Sequence, residues 1–347
     1  MAMNSTPEVG PVCRQCTTCD AFACAIGAKN DLATRVIPNL LRRGMGLLTS
    51  TVVTRLSVQN GRIAAVQCLD KETGERVELS ASTVVLAAGA LATPHLLLTS
   101  GLEQFNPAGD LVGRHLMRHC SAVNFGIFAR PPNPSDEHHK QVALHDFYFG
   151  VEDSSAPTGK LGNLQQMMGP DPGLLAHALP RLGWLAGPAN ILARRMTGLL
   201  AMAEDQPRPE NRVRIDTGVH DPYGVPKMLV EHCYTTRDLA ARSFLAAKAK
   251  RILRKAGAIV TFTFNVTSFS HAVGTVRMGD DERTAPLDEN CKYRGLDNLY
   301  VTDGSVFPTS AGVNPSLTIA ANALRVGRII ADTKPKLLAR QVIGLVS

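Results

Sequence analysis

Residues 271–328 read HAVGTVRMGDDERTAPLDENCKYRGLDNLYVTDGSVFPTSAGVNPSLTIAANALRVGR. Asn314 is a favoured N-cap and Pro315 suits the first helical position, where its missing N–H would have no partner. A helix is therefore expected to open at Asn314. The small residues Ala311-Gly312-Val313 lead into it, so its free N–H groups and positive dipole end make a site for negative charge. Leu317, Ala320, Ala321 and Leu324 recur at helical spacing and are small enough to pack closely on a sheet, which predicts a buried helix. Upstream, Leu299–Gly304 (LYVTDG) is a short apolar run ending in an acid and a glycine. A parallel strand ends this way where it delivers a side chain to the carboxyl edge of its sheet, and the Asp303 carboxylate would accept hydroxyl hydrogen bonds there. His271, ahead of the Gly274-Thr275 turn, is placed to accept a proton near neutral pH.

Working outward, the chain before this stretch changes character several times. Between Thr49 and Leu79 come short β-rich runs broken by Asn60-Gly61 and Thr73-Gly74, and Asn-Gly between such runs signals a hairpin, so a three-stranded meander is expected. The apolar strand Val84-Val85-Leu86 closes on Ala87, Ala88 and Gly89. Thr93 and Pro94 read as N-cap and first residue of a helix that Gly101 stops. The small residues leave room either for a cofactor at the backbone or for tight helix-on-sheet packing. Residues 121 to about 210 are punctuated by proline and glycine, with His145–Phe149 reading as a strand and His138 and His139 as solvated loop residues. Asn211 to Pro226 reads as strand, turn and strand, and the following KMLVEHCY (227–234) completes a sheet segment. Thr235 with Asp238 resembles a capping box for a helix running to Gly257, whose Arg251, Arg254 and Lys255 support its negative end.

Taken in order, the motifs HAVGTVRMG (271–279), GLDNLYVTDGSVFP (295–308), GVNPSLTIAANALRVG (312–327) and VVLAAGALATPHLLLTSG (84–101) resemble the glucose-methanol-choline (GMC) family of flavin-dependent oxidoreductases. Several spaced motifs in one order are far less prone to chance than one short pattern. The resemblance implies an α/β (α+β) fold with FAD as cofactor. An FAD-binding Rossmann-like domain with a β-meander would be split between residues 1–120 and 266–335. A substrate domain of mixed sheet and helices would occupy 121–265, with a peripheral tail at 336–347. It further implies oxidation of an alcohol to a carbonyl, with His271 taking the hydroxyl proton and hydride passing to flavin N5. Asn314 would hold the substrate oxygen. Val53, Ala88 and Gly89 would line the adenine and diphosphate end of FAD, and Asp303 and Gly304 the ribityl or diphosphate region. Pro315 and Ser316 would lie at the helix start facing the pyrimidine edge. His119, in the family-like run LVGRHLMRH (111–119), reads as a structural loop histidine, since no partner motif surrounds it.

One departure is large. The family opens with a strand, a G-x-G-x-x-G turn and a helix, and this sequence contains no G-x-G-x-x-G. The expectation is an incomplete nucleotide domain whose central strand has an unpaired edge or face, filled by a partner chain that supplies the missing unit. The competing reading is a non-catalytic remnant, or an electron-transfer protein built on the cysteines. Cys13, Cys16, Cys19 and Cys24 fall in a C-x2-C-x2-C-x4-C cluster. Such spacing converges thiolates, and an iron–sulfur cluster suits it better than zinc; reduced structural cysteines are the plain alternative.

The chain has 347 residues, 44% hydrophobic and 19% charged, with a net charge of +7. That is a globular composition, long enough for two domains. Its basic residues are scattered and aromatics are only 5%, so a nucleic-acid platform is not suggested. No apolar run reaches a membrane span, and MAMNSTPEVG lacks the basic start and apolar core of a secretion signal, so a cytoplasmic protein is expected. The motifs leave the particular alcohol and the final electron acceptor open.

Overall fold

The computed structural model describes residues 3–16, 23–135, 140–151, 156–169 and 186–333. Cys19, His138, His139 and the tail lie outside them. In chain order the elements are α1 (Ile37–Arg42), β1 (Thr51–Gln59), β2 (Arg62–Asp70), β3 (Arg76–Leu79), β4 (Val84–Leu86), α2 (Gly89–Thr99), β5 (Cys120–Phe128), β6 (Ala143–Leu144), β7 (Gly162–Met168) and α3 (Ala186–Arg194). There follow β8 (Met196–Ala203), β9 (Arg212–His220), β10 (Pro226–Glu231), α4 (Thr236–Lys255), β11 (Ala258–Asn265), β12 (Leu299–Val301) and α5 (Ser316–Thr333). The mixed α/β class expected from the sequence is the one observed. Among the described residues no helix is long and apolar enough to cross a membrane.

Two cores organise these elements. The first gathers residues from both ends of the chain, among them Leu56, Leu86, Leu97 and Met117 with Val273, Leu299, Val306 and Val326. The antiparallel meander β1-β2-β3 lies on it, and its hairpin turns at Asn60 and Gly61, both at positive φ (52° and 70°), as Asn-Gly favours. Beside it β4 pairs in parallel with β12, Val85 against Tyr300. The second core lies under a five-stranded antiparallel sheet in the order β11-β5-β8-β7-β6. Here Ala241, Phe244, Leu245, Ala249 and Leu253 of α4 pack on Cys120, Leu164, Leu199 and Ala201. The Thr235–Asp238 capping box forms as its spacing predicts, each side chain bonding the other residue's backbone N–H.

Three local expectations need correcting. Helix α2 begins at Gly89, not at Thr93-Pro94, and Pro94 lies inside it. An internal proline leaves the carbonyl four residues earlier without its N–H donor. That carbonyl belongs to Ala90, and the Thr275 hydroxyl donates to it at 2.7 Å. Thr93 instead brings its own hydroxyl to Asp303 Oδ2 at 2.5 Å and accepts the Ala88 N–H at 3.2 Å. Thr275→Val is therefore expected to leave a buried carbonyl unsatisfied and cost about 1–3 kcal/mol, read by chemical denaturation; an unchanged midpoint would show that α2 tolerates its proline unaided.

The second correction concerns His145–Phe149. This run is a turn, closed by the Tyr148 N–H donating to the His145 carbonyl at 2.9 Å. Phe147 packs onto the second core and meets Phe244 edge-on at 6.3 Å. Apolar rings drive this burial, and their alternation over five residues cannot distinguish a turn from a strand.

The third concerns α5, which starts at Ser316, with the Ile319 N–H bonding the Pro315 carbonyl at 2.9 Å. Asn314 and Pro315 thus sit one step further out than expected, and the Asn314 carboxamide is used elsewhere. The helix docks through Ile319, Asn322, Val326 and Ile330. The face expected to be buried is uncovered among the described residues, with Leu317 82% and Leu324 67% exposed and Ala320 and Ala321 between them.

Candidate active site

The site forms where the two cores meet, and backbone pairing builds it. Met117 and Val273 form an antiparallel bridge, each N–H reaching the other's carbonyl (3.0 and 2.9 Å), which lays residues 117–119 alongside 271–273. The next residues run beside the end of β12, where the Gly274, Val276 and Met278 N–H groups donate to the carbonyls of Gly304, Ser305 and Val306. Arg118 clamps the approach loop: its guanidinium lies 4.4 Å from the Phe269 ring centroid and donates to the carbonyls of Thr267 and Ser268.

His119 and His271 consequently stand together, Nδ1 to Nδ1 at 3.0 Å with their rings edge-on. His119 Nε2 donates to the Ser310 carbonyl at 2.8 Å. On its far side His271 Nε2 faces Asn314 Nδ2 at 3.4 Å, and Asn314 Oδ1 accepts from Gln165 Nε2 at 2.7 Å. The sheet of the second core thus contributes one member of the site through β7. Burial, then His119 and Lys140, push the His271 pKa down to about 4. Burial likewise lowers that of His119. Both imidazoles are neutral at neutral pH.

Asp205 is the support beneath. Burial alone would raise its pKa, but hydrogen bonds from His232, the Arg118 N–H and other neighbours bring it below the usual carboxylate value. It accepts the N–H groups of Arg118 and His119 (2.9 and 3.1 Å) and holds His119 at φ 63°, a conformation few non-glycine residues adopt.

The other candidates fall into place unevenly. Asp303 is buried, and its two oxygens take four donors from the protein: the Gly89 N–H (2.9 Å), the Thr93 hydroxyl, and the Ser305 N–H (2.8 Å) and hydroxyl (2.5 Å). These bonds make the carboxylate a brace joining the Gly89 and Gly304 turns, with most of its acceptor capacity used within the protein. Gly89 itself has φ 86°, no heavy atom within 4 Å of where a Cβ would stand, and begins a helix without a side-chain cap. Ala88 is exposed beside it, as are Ser316 at the start of α5 and Val53 on β1, while Pro315 and Gly304 are buried. The open space at this glycine would let a cofactor approach the backbone, although its own N–H is already taken by Asp303.

Of the cysteine cluster, Cys13 Sγ lies 3.4 Å from Met3 Sδ, and Cys24 Sγ accepts the Ala28 N–H at 3.2 Å. Among the described residues no three His, Cys, Asp or Glu side chains assemble for a metal ion. Nothing here supports the iron–sulfur reading. Gln165, Ser310 and Asp205 were not singled out from the sequence. Gln165 lies in the proline- and glycine-punctuated third, where nothing distinguishes it from a surface glutamine. His119 is a satisfied loop histidine as read, but one of its partners is His271.

A half-buried imidazole beside a carboxamide and a βα turn opening at Gly89 are thus held in one mixed α/β fold. The chain belongs to the GMC oxidoreductase family: family models of that description match residues 2–134 and 207–323. FAD is the family's cofactor. The chain is 31% identical to 6'''-hydroxyparomomycin C oxidase of Streptomyces lividus, over 96% of this chain and 60% of that protein. It is 28% identical to paromamine 6'-oxidase of Streptomyces fradiae, over 95% and 61%. Its fold is similar to the crystal structure of pyridoxine 4-oxidase from Mesorbium loti, with a TM-score of 0.64 at 21% identity, covering 89% of this chain and 63% of that one. The chain thus spans about three fifths of the length of these relatives.

Proposed function

We propose that this chain carries the alcohol-oxidising half of an FAD enzyme and converts a CH–OH group of a sugar-like substrate to a carbonyl. The observation that carries the reading is the His271–Asn314 pair. Its 3.4 Å contact is long for a hydrogen bond and weakly held, so a substrate hydroxyl lying beside the pair can take both groups as its own partners. His271 Nε2 then accepts the hydroxyl proton, and Asn314 Nδ2 donates to the oxygen as negative charge grows on it. Gln165 holds the Asn314 carboxamide so that its N–H groups, not its oxygen, face the substrate. Bound FAD would supply the acceptor for the C–H hydride, while His271 Nε2 takes the O–H proton and Asn314 Nδ2 holds the oxygen that becomes the carbonyl oxygen. Ala88, Gly89, Gly304, Pro315, Ser316 and Val53 would hold that cofactor, with the dipole end of α5 favouring negative charge. The sugar-like substrate class is supported by the names of the two Streptomyces relatives.

The uncovered Leu317–Leu324 face is where we place the first nucleotide-binding unit expected of the family, supplied by a partner chain or by further residues of the same polypeptide. No observation favours a non-catalytic remnant. The test is a visible spectrum of the purified chain with FAD added, followed by anaerobic addition of a panel of sugars and simple alcohols. Bound flavin bleached by one of them is the expected result. A folded chain that leaves FAD free would overturn the proposal for this chain alone.

A pH prediction follows. Only neutral His271 can accept the proton, so activity is lost as pH falls through its pKa. That value is about 4 against an ordinary 6.5, and the acid limb of kcat/KM is expected near 4. A limb at 6.5 would place the titrating base elsewhere.

A further inference from the structure

We propose that His119 is a positioning residue that fixes the tautomer of His271, holding the proton on Nδ1 and leaving the Nε2 lone pair toward the substrate. The argument starts from the one group in the chain of contacts whose role is chemically unambiguous. A backbone carbonyl can only accept, so His119 Nε2, 2.8 Å from the Ser310 oxygen, must carry a hydrogen. His119 is 2% exposed, and burial disfavours its charged form. A neutral imidazole has one N–H, so the His119 Nδ1 holds a lone pair. His271 Nδ1, 3.0 Å away, must then be the donor. Since His271 is also neutral, its Nε2 is bare.

The far end of the chain agrees. Asn314 presents Nδ2 to that lone pair, and its Oδ1 takes the Gln165 N–H at 2.7 Å. Amide orientations are assigned from their surroundings, and a bare His271 Nε2 selects the one that turns the Asn314 Nδ2 toward it. An Asn314 oxygen facing a bare Nε2 would set two lone pairs together. The direction therefore propagates from the Ser310 carbonyl through two imidazoles to the carboxamide.

This matters because the nitrogen protonated in a histidine is set by the hydrogen bond the other nitrogen makes. Free imidazole side chains favour the Nε2–H form, which would offer the substrate a donor in place of an acceptor. The same ring would then be no base at all. Everything around His119 resists its turning away. Asp205 accepts its backbone N–H, the Tyr234 hydroxyl donates to its carbonyl at 2.9 Å, and the Met117–Val273 bridge fixes the adjacent strand.

The lock serves the alcohol-oxidation reading, but its test does not depend on it. The full chain, labelled with ¹⁵N-histidine, is examined by long-range ¹H–¹⁵N NMR at neutral pH, with His271→Gln used to assign the signal. The expected result is His271 protonated on Nδ1. Protonation on Nε2, or fast exchange between both forms, would overturn the proposal. In His119→Phe the His271 proton is expected to move to Nε2, with flavin reduction slowed at least tenfold at little change in KM. His119→Asn, whose carboxamide oxygen can still accept from His271 Nδ1, is expected to keep the parent tautomer. A folded His119→Phe with the parent tautomer would again sink the idea. If His119→Phe does not fold, the parent spectrum alone decides. Should the lock be seen while no alcohol bleaches the flavin, the oxidation reading fails and the lock stands.

Discussion

Replacing His271 by alanine is expected to slow substrate-dependent flavin reduction by about 10²- to 10⁴-fold, the usual contribution of a positioned general base. FAD binding should be unchanged. Among the described residues its side-chain hydrogen-bond partners are His119 and Asn314, and neither belongs to the Gly89 turn proposed to hold the phosphates. The loss should therefore fall on the chemical step, seen as a lower limiting rate of anaerobic bleaching at saturating substrate. A reduction rate equal to the parent's would show that the proton leaves by another route. The variant also separates His271 from Asn314: Asn314→Ala removes oxyanion support but leaves the base, so its acid limb should remain near 4 while its rate falls.

The largest loss of stability is expected from Asp303→Ala. The substitution strands two backbone N–H groups and two hydroxyls that now end on one buried carboxylate. Buried donors left without an acceptor each forfeit their desolvation, and bonds to a charged acceptor are the stronger kind. A cost of about 4 kcal/mol follows, near the top of what a single substitution does. Because the carboxylate joins residues more than two hundred positions apart, its loss should also free the Gly89 turn and weaken FAD binding. Denaturant unfolding together with an FAD titration reads both effects. If stability fell by less than 1 kcal/mol, water would have to replace the carboxylate at all four donors.

Much of this was legible in the sequence. The Asn60-Gly61 hairpin, the Thr235–Asp238 capping box and the separate strands β4 and β12 rest on local chemistry that short motifs record, whereas His271 and Asn314 were brought together only by the family resemblance. What was misread depends on distant contacts. Pro94 looked like a helix start because nothing in its neighbourhood reveals that Thr275 satisfies the carbonyl it orphans. Asp303 is visible as a strand-end acid, while the four protein donors that gather on it are not. The apolar face of α5 has the pattern of a buried surface, and a pattern states what a face is suited to contact, not what lies against it. Gln165 carried no signal, because a glutamine becomes part of a site only when a sheet in the other core delivers it.

The two cores also prescribe how this chain can be recombined. Every member of the second lies between positions 120 and 258, whereas the first draws on both flanks. Crossovers placed after His119 and after Asn265 would exchange the whole antiparallel sheet with that of a homologue, yet keep both imidazoles, the Asp303 junction and α5 from one parent. Ser310 and Asn314 stay with that parent, so the side chains a transplanted segment must present to the two imidazoles' surroundings include an amide at position 165, a carboxylate at 205 and a hydroxyl at 234. Chimeras chosen by those positions should fold more often than chimeras chosen by overall identity, and their differences in substrate choice would map to the sheet alone.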